Sequence, residues 1–513
     1  MPRWTTACLS LIIAAVACVV SRPAAADGPK GIEAIDTVVV IYAENRSFDN
    51  LFGNYPGANG LADAKSAAPQ VDRDGKVLAE LPPVWGGLTE KGVEPAITEA
   101  DTTAKHLPNA PFAIDSARGF NLPLNVATRD LVHRFYQNQM QIDGGRNDRF
   151  AAYGDAGGLV MGYYDGSKQK LWDIARRYTL ADNFFMGAFG GSFLNHFWLI
   201  CACTPAYPHA KETDAKDQIA KVGKDGVTLV TVPGSPASAM HGVPYFAKDG
   251  TLTPDLYAVN TMQPAYAPSG NPLKRNDDPV RPSSSKTLTP QTEKNIGDLL
   301  SAHGTKWVWY AGGWAEGLKE GCYKESGSNF QCHHQPFNYF ADMAPGTKAR
   351  AQHLLDAGLN GETFIKAIDA GKLQPVVFYK PRGELNEHPG YADVVSGDDH
   401  IAELVAHLEK SPQWAHMLVI ITYDENGGFW DHVAPPKGDR WGPGTRIPMI
   451  VVSPFAKKGE VDKTFYDTTS ILRFITKRFD LPELPGLRSR ADALIANGNP
   501  APGDLTNALD LPK

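Results

Sequence analysis

Two runs of apolar, mostly β-branched residues stand out along the chain, and each ends abruptly in polar residues. Val38 to Ile41 is soon followed by Glu44-Asn45, and the run from Met417 to Tyr423 is followed by Asp424-Glu425. Continuous apolar runs of this length are typical of strands that are buried on both faces of a sheet. In open α/β sheets ligands bind at the carboxyl ends of the strands. The sequence therefore predicts that these acids meet at one edge of a sheet, where they can hold a hard cation.

Strand-like and helix-like segments alternate along much of the chain. Strands are predicted at 179–186, 306–310, 374–379 and 448–452, and helices at 130–139, 170–178, 295–301, 362–370, 398–409 and 467–479. In the helix at 398–409, Ile401, Leu404, Val405 and Leu408 form one apolar face at the spacing i, i+3, i+4, i+7. This alternation predicts an α/β fold, a three-layer α/β/α sandwich with a largely parallel central sheet.

A third feature is Gly190-Gly191-Ser192, which leads into an apolar, helix-like run. The glycines place Ser192 at or just before a helix N-terminus, where unpaired N–H groups and the helix dipole favour an alkoxide and bind phosphate oxygens. The alternative is a serine that only caps the helix. The sequence around it lacks the Gly-x-Ser-x-Gly motif of the α/β-hydrolases, which argues against an esterase of that fold.

Histidines accompany these acids. His333-His334 and His388 lie in connections that follow predicted strands, and His106 lies in an earlier loop region, where on its own it is an ordinary surface histidine. The familiar ligand spacings of a closed zinc site are not evident. We therefore expect acids and amides to hold the cation, and histidines to donate to phosphoryl oxygens and to the leaving group. Together these residues predict metal-assisted phosphoryl transfer to Ser192.

The N-terminus has the features of a secretory signal peptide, with Arg3 before an uncharged apolar run and small residues before Asp27. We expect cleavage after Ala26, a periplasmic or secreted mature chain, and no stable membrane insertion. The domains predicted are a signal peptide at 1–26, a catalytic domain at 27–490 and a surface tail at 491–513. Within the catalytic domain, the Pro-, Ser- and Thr-rich segment 204–293 is predicted to be an insertion that covers the sheet or shapes the pocket, with a few short β-like runs such as 226–232.

The composition argues against one class of partner and predicts disulfide bonds. The chain has 57 acidic and 50 basic residues, and this acidic balance argues against a nucleic-acid partner. Four cysteines remain after the signal peptide, and an even number in an exported protein predicts disulfides whose pairing the sequence leaves open. Cys322 and Cys332 are the easiest pair to close. Cys201 and Cys203 are too close in sequence for a relaxed bridge to each other, which favours partners elsewhere or free buried thiols.

Five sequence blocks together resemble the bacterial phosphoesterase family, which contains secreted phospholipases C and acid phosphatases of the Francisella type. The blocks are Glu-Asn-Arg-Ser-Phe-Asp-Asn-Leu-Phe-Gly from residue 44, Gly-Gly-Ser-Phe-Leu-Asn-His from 190, His-Pro-Gly-Tyr-Ala-Asp from 388, Asp-Glu-Asn-Gly-Gly-Phe-Trp-Asp-His from 424, and Ile-Pro-Met-Ile-Val-Val-Ser-Pro-Phe from 447. They occur in order over nearly the whole mature chain.

The resemblance implies an alkaline-phosphatase-like core with inserted loops or a small subdomain, and one divalent metal ion per active site, of open identity. It implies Ser192 as the nucleophile, with metal ligands Glu44, Asn45, Ser192, Asp424 and Glu425. Catalytic roles at the phosphoryl group fall to His106, His333, His334 and His388, and substrate binding to Asn45, His106, His333 and His388. Phospholipase C members more often carry threonine at the nucleophile, so Ser192 favours the acid phosphatase branch.

These observations lead to three hypotheses about function. The first is a secreted phosphatase that hydrolyses small phosphate monoesters through a phosphoserine, fastest below neutral pH, because partly protonated histidines would add positive charge for a dianion. The second is a phospholipase C that acts on phosphatidylcholine-like head groups. The third is a secreted calcium-binding protein without activity, since the segment from Asp424 to Asp431 is rich in acids and glycine but lacks the EF-hand spacing. The oligomeric state stays open.

Overall fold

The central sheet of the molecule contains the two apolar runs as neighbouring strands. In this computed structural model residues 1–2, 29–266, 286–322 and 327–513 are described, so the predicted signal peptide lies outside the described residues apart from its first two. The strands are β1 Thr37–Ala43, β2 Phe112–Ala113, β3 Gly162–Tyr163, β4 Thr179–Ala181, β5 Phe184–Phe185, β6 Trp307–Ala311, β7 Leu354–Asp356, β8 Val376–Lys380, β9 Met417–Tyr423, β10 Met449–Val452, β11 Glu460–Asp462 and β12 Tyr466–Asp467.

Eight of these strands form one sheet in the order β11-β4-β10-β9-β1-β8-β6-β7. β10 runs antiparallel to both of its neighbours, and all other pairings in the sheet are parallel. β1 lies at the centre, where Val39 is opposite Val377 of β8 on one side and Val419 of β9 on the other. Every residue of β1, β8 and β9 is buried, as expected for strands covered on both faces.

Helices cover both faces of the sheet. In the described residues the α-helices are α1 Phe48–Phe52, α2 Glu99–Lys105, α3 Phe135–Ile142, α4 Phe150–Tyr153, α5 Lys170–Arg177, α6 Ser192–Cys201, α7 Ile296–His303, α8 Trp314–Glu320, α9 Lys348–His353, α10 Glu362–Asp369, α11 Val394–Leu408, α12 Thr469–Arg478 and α13 Pro485–Ala496. None of these helices is long and apolar enough to cross a membrane.

Alternating side chains of the central strands identify the two helical layers. Ile41 of β1 is opposite Tyr379 of β8, so these two residues share one face and Tyr42 points to the other. The Tyr379 hydroxyl contacts Nε2 of His400 in α11 at 2.6 Å, whereas the Tyr42 hydroxyl donates to the Asn195 carbonyl of α6 at 3.3 Å. The predicted three-layer α/β architecture with a largely parallel sheet is thus confirmed.

Three local predictions differ from the structure. Helix α3 begins only at Phe135, because the preceding residue Arg134 is extended. The β-like run 226–232 forms isolated bridges, Leu229 with Val222 and Thr231 with Phe246, instead of a strand within a sheet. Beyond residue 490 the sequence predicts a surface tail, whereas Leu505 is fully buried and the Ala508 carbonyl accepts a hydrogen bond from Lys457 N at 3.1 Å.

The cysteine pairing corrects one expectation. Cys201 and Cys203 are bonded to each other, with Cα atoms 5.1 Å apart, and Cys322 is bonded to Cys332. Ala202 ends helix α6 in the left-handed conformation, with φ 49°, and this reversal of the chain brings the two cysteine side chains together. Sequence spacing alone could not show that turn.

Candidate active site

The carboxyl ends of β1, β8 and β9 meet at one point of the sheet edge. β1 delivers Glu44 and Asn45, β9 delivers Asp424 and Glu425, and the last residue of β8 is Lys380. All five residues are buried. Because the three strands are parallel neighbours, their polar ends form a single cluster, as the sequence predicts for the acids.

Ser192 is the first residue of helix α6, and its hydroxyl faces this cluster. Its Oγ donates to Glu44 Oε2 at 3.0 Å and lies 3.4 Å from Asn45 Oδ1. Gly190 has φ 91°, and a Cβ there would lie 2.5 Å from Phe135 N, so this position requires glycine to bring the helix end this close. The first N–H groups of α6 have no carbonyl partner within the helix and point toward the same region.

The other oxygen of Glu44 is bound by cationic and imidazole groups. Lys380 Nζ contacts Glu44 Oε1, and His334 Nε2 lies 3.1 Å from the same oxygen. The ring of His196, four residues after Ser192 on α6, stacks on His334 at 5.0 Å between centroids, and its Nδ1 donates to the Ser192 carbonyl at 2.7 Å. The sequence analysis missed Lys380 and His196. Lys380 was detectable, since it directly follows a predicted strand at the edge that carries Glu44.

The three carboxylates repel one another in the protein interior. Burial, together with the charge of Glu44, raises the pKa of Asp424 to about 7. Burial and the neighbouring Asp424 also raise the pKa of Glu425 well above its usual value. Within the described part of the chain, Asp424 Oδ2 and Glu425 Oε1 are buried without a hydrogen bond. In the described residues, three groups bring their ligand atoms close enough together to hold a metal ion: Glu44 with His196 and His334, Asp130 with His133 and His388, and Asp49 with Asp431 and His432. The first two groups lie at this cluster and on the wall above it. Buried carboxylate oxygens without donors, such as those of Asp424 and Glu425, are also of the ligand type that divalent cations prefer.

Above the cluster opens a cavity of about 820 Å³, lined by Ser192, Phe193, His133, His333, His388, Tyr391 and residues of the loops at 86–99 and 129–134. His388 and His133 stand on its wall with their rings 5.5 Å apart. Asn45 Nδ2 donates to His388 Nε2 at 3.0 Å and lies 3.4 Å from His133 Nε2. The Asn45 amide thus joins Ser192 to two histidines, from a left-handed backbone conformation, with φ 61°, that asparagine tolerates well.

His133, and not His106, is brought to this cavity. His106 is exposed at the C-terminal end of α2, where its Nδ1 pairs with a Glu80 carboxylate oxygen at 3.1 Å, and it is not among the residues that line the cavity. His133 lies between two carboxylates, 3.6 Å from Asp130 Oδ1 and 3.8 Å from Glu425 Oε1. No apolar periodicity or glycine pattern marks His133, so the sequence offered no signal for it.

Four buried histidines at the site have lowered pKa values, which favour their neutral forms. Burial lowers the pKa of His333 to about 4, and burial lowers the pKa values of His196, His334 and His388 well below their usual value, with neighbouring histidines adding to the effect. His334 and His196 lie behind Glu44, outside the residues lining the cavity, whereas His333 and His388 face it. The expectation that these histidines are partly protonated at mildly acid pH is therefore not supported by their surroundings.

The calcium-loop hypothesis for the segment from Asp424 to Asp431 meets a different arrangement. The carboxylate of Asp431 accepts from Arg446 Nε at 3.0 Å, from Asp49 N at 3.0 Å and from Val433 N at 2.9 Å. Arg446, fully buried, also donates to Asp49 Oδ1 at 3.1 Å. A guanidinium already balances this end of the segment, while the acids at its start belong to the cluster around Ser192.

Most of the chain is similar to known proteins of one family. A family model described as Phosphoesterase family matches residues 35–482. Non-hemolytic phospholipase C of Burkholderia pseudomallei is 26% identical over 489 residues, which cover 88% of this chain and 56% of that protein, so the chain spans about half of that relative's length. Phospholipase C A of Mycobacterium tuberculosis is 23% identical over 514 residues, with 94% of this chain and 78% of that protein covered.

The similarity of the chain to solved structures is low. A protein in the alkaline phosphatase superfamily from Vibrio parahaemolyticus is similar with a TM-score of 0.28 and 10% identity, over 68% of this chain and 65% of that one. A similarity of that size carries no argument about function.

Proposed function

Because this chain belongs to the phosphoesterase family, we propose that it is a phospholipase C, which hydrolyses the phosphodiester that joins a lipid to its phosphorylated head group. The observation that carries the proposal is the hydrogen bond from Ser192 Oγ to Glu44 Oε2 at the floor of an open cavity. The named relatives support a diester-cleaving enzyme over the acid phosphatase that Ser192 alone favoured. The N-terminal signal-like segment supports export of the enzyme.

Ser192 is proposed as the nucleophile. As Oγ bonds to phosphorus, its proton passes to Glu44 Oε2, the oxygen to which it already donates. The bond from phosphorus to the lipid oxygen breaks, and the head-group phosphate stays on Ser192. Unpaired N–H groups at the start of α6 stabilise the phosphoryl oxygens. Water then attacks the phosphoserine, the bond from phosphorus to Oγ breaks, and Glu44 Oε2 returns the proton to Oγ as the phosphorylated head group is released.

His133 is proposed to protonate the departing lipid oxygen. Its Nδ1 contacts the Leu131 carbonyl at 2.6 Å, and because a carbonyl only accepts, Nδ1 carries a proton. Its Nε2, which lies 3.4 Å from Asn45 Nδ2 and 3.8 Å from Glu425 Oε1, is the atom placed to exchange a proton in the cavity. The other wall histidines are neutral. In the second step His133 Nε2 takes the proton of the attacking water.

A divalent cation bound by Glu44, Asn45, Ser192, Asp424 and Glu425 would lower the pKa of the serine hydroxyl and neutralise phosphoryl charge. The charge of the site then favours a diester. The three carboxylates would be offset by Lys380 and one divalent cation, and a protonated His133 would be offset by the neighbouring Asp130. The neutral His333 and His388 would add no charge, so little positive charge would be left for a dianionic monoester. A singly charged diester fits this balance better.

Two esters measured on one preparation test the proposal. We expect turnover of p-nitrophenylphosphorylcholine to exceed that of p-nitrophenyl phosphate across pH 5 to 9, and Ser192→Ala to lower kcat by about three orders of magnitude or more. Ser396→Ala is the matched control, because Ser396 also lies in the first turn of a helix, α11, but is not among the residues lining the cavity. A clear preference for the monoester at acid pH would restore the acid phosphatase hypothesis. Normal turnover in Ser192→Ala would exclude the mechanism.

A further inference from the structure

A small three-stranded ribbon projects from the segment 204–266. Val222 is bridged to Leu229, and Thr231 is bridged to Phe246, both antiparallel. Val230 N donates to the Lys221 carbonyl at 3.1 Å, Ala247 N to the Val230 carbonyl at 2.7 Å, and Val232 N to the Tyr245 carbonyl at 3.0 Å. Residues opposite one another in an antiparallel ladder share a face, and so do residues two apart. The two faces of the ribbon can therefore be assigned.

One face is packed on the protein. Leu229 is buried in the main core, and Val222 and Phe246 are partly buried against it, whereas Thr231 at the edge of this face is exposed. The opposite face carries Lys221, Val230, Val232, Tyr245 and Ala247.

The outward face is largely apolar, and all of its residues except the partly buried Val232 are exposed. Val230 is 42% exposed and Tyr245 52%, and they are two of the few large hydrophobic side chains that the described residues leave exposed. Lys221 and Ala247 are exposed as well. The one charged side chain among these five outward residues is a lysine. Isolated exposed apolar residues are common, but apolar residues on adjacent strands of one outward face are typical of an interaction site.

This face is connected to the mouth of the active-site cavity. Arg134, which lines the cavity, donates to the Asp249 carbonyl at 2.7 Å and to the Gly250 carbonyl at 3.2 Å, immediately after the last strand of the ribbon. At the other end, Arg73 donates to the carbonyls of Pro236 and Gly242, in the turn of the ribbon. The loop fixed by Arg73 also carries Val77, which is 61% exposed.

We propose that the outward face of the ribbon is a membrane-contact surface, by which the protein sits on a phospholipid layer with its cavity mouth close to the lipid head groups. Valine side chains enter the boundary between head groups and acyl chains, and tyrosine suits that boundary because its ring is apolar and its hydroxyl polar. Lys221 pairs with lipid phosphates. The inference rests on the proposed function for its substrate, since a water-soluble ester needs no such surface, but it is tested without turnover.

Vesicle binding tests the surface directly. The full chain with Ser192→Ala is used, so that lipid is not consumed, and binding to phosphatidylcholine vesicles, with and without phosphatidylglycerol, is measured by co-sedimentation. The test variant is Val230→Asp with Tyr245→Asp. Ile495→Asp is the matched control, because Ile495 is 59% exposed on α13, outside the ribbon. We expect the double variant to bind about tenfold more weakly or worse, and the control to bind like the parent. Lys221→Glu should weaken binding most on the vesicles that contain phosphatidylglycerol.

Further measurements distinguish a loss of the membrane-contact surface from a loss of folding stability and from a failure of the proposed function. Should the aspartates lower the melting temperature, Val230→Ser with Tyr245→Ser takes their place, and Tyr245→Trp should retain binding. Absence of vesicle binding by the parent, or equal binding by the double variant and the control, would overturn the membrane-contact surface. Hydrolysis of p-nitrophenylphosphorylcholine by the protein with Ser192 intact is assayed in parallel. If the choline ester is not hydrolysed but vesicle binding depends on the ribbon, the surface stands and the proposed function fails.

Discussion

Glu44 is bound on both carboxylate oxygens, and the two contacts differ in kind. Oε2 accepts the Ser192 hydroxyl, whereas Oε1 meets the Lys380 ammonium and the His334 ring. One buried residue therefore connects Ser192 at the start of α6 with the end of β8 and with the Cys332–His334 turn. Because each of these contacts comes from a different element, the position of the carboxylate is fixed by the packing of the whole sheet edge.

At the same scale, a prediction follows from the observation that His133 lines the cavity and His106 does not. His133→Gln should lower kcat for the choline ester by about a hundredfold or more, since it removes the group proposed to protonate the leaving oxygen. His106→Gln should stay within about twofold, because that ring is exposed and pairs only with Glu80. Steady-state kinetics of both variants with the choline ester would show which of the two histidines takes part in turnover. The reverse ranking would return His106 to the site and remove His133 from it.

At the scale of elements, the connection after β8 holds His388 in place through strained and buried neighbours. Glu387 has φ 74°, its carbonyl accepts from both Arg46 Nε and Nη2, and its Oε2 accepts from the Tyr423 hydroxyl at 2.9 Å. Arg46, Glu387 and Tyr423 each precede or follow a site residue by one position. A buried network beneath the cluster thus ties the loop after β1, the loop after β8 and the end of β9 together.

This network predicts an unusual dependence of stability on pH. Burial, with the nearby Asp398, raises the pKa of Glu387 to about 8. A carboxyl whose pKa is raised in the fold stabilises it at low pH, and that contribution is lost as pH rises from about 4.5 to about 8. Glu387→Gln resembles the protonated form, so urea unfolding should find it level with the parent at pH 5 and more stable at pH 8, by at most about 5 kcal/mol. Glu384→Gln, more exposed in the same connection, is the control. A difference that is the same at both pH values would contradict this.

Elements with strong local signals were predictable from the sequence, and those defined by contacts were not. The apolar runs at β1 and β9 and the glycines before Ser192 located the strand ends and the start of α6, because burial on both faces and a close helix approach leave a mark in composition. β7 and β11 are three residues long at the sheet edges, too short for a periodic pattern. The position of Lys380 at the end of a strand was predictable from the sequence, but only the fold shows that its ammonium contacts Glu44.

At the scale of the whole molecule, burying Asp424 and Glu425 beside Glu44 has a cost that a cation can offset. The two acids lie at the end of β9 in the centre of the eight-stranded sheet, and their repulsion therefore acts on the strands that hold the fold together. Arg46 and Arg446 are buried nearby, but Arg46 donates to the Glu387 carbonyl and Arg446 to the Asp431 carboxylate. Lys380 is the cation that contacts the cluster in the described residues. The stability of the fold and the occupancy of the site are thus expected to be coupled.

Chelation at two pH values measures that coupling. Without a cation the pKa of Asp424 is about 7, so the contribution of its protonated form to stability is present at low pH and lost as pH rises from about 4 to about 7. At pH 8 a chelator leaves ionised carboxylates facing one another, whereas at pH 5 protons replace the metal. A chelator should therefore lower Tm at pH 8 by about twice as much as at pH 5, or more. Asp424→Asn, which removes one proposed ligand and its charge, should make Tm nearly insensitive to the chelator at both pH values. An equal loss of Tm at the two pH values in the parent would show that the cation is bound elsewhere, and metal analysis of the parent and the Asp424→Asn protein would then locate it.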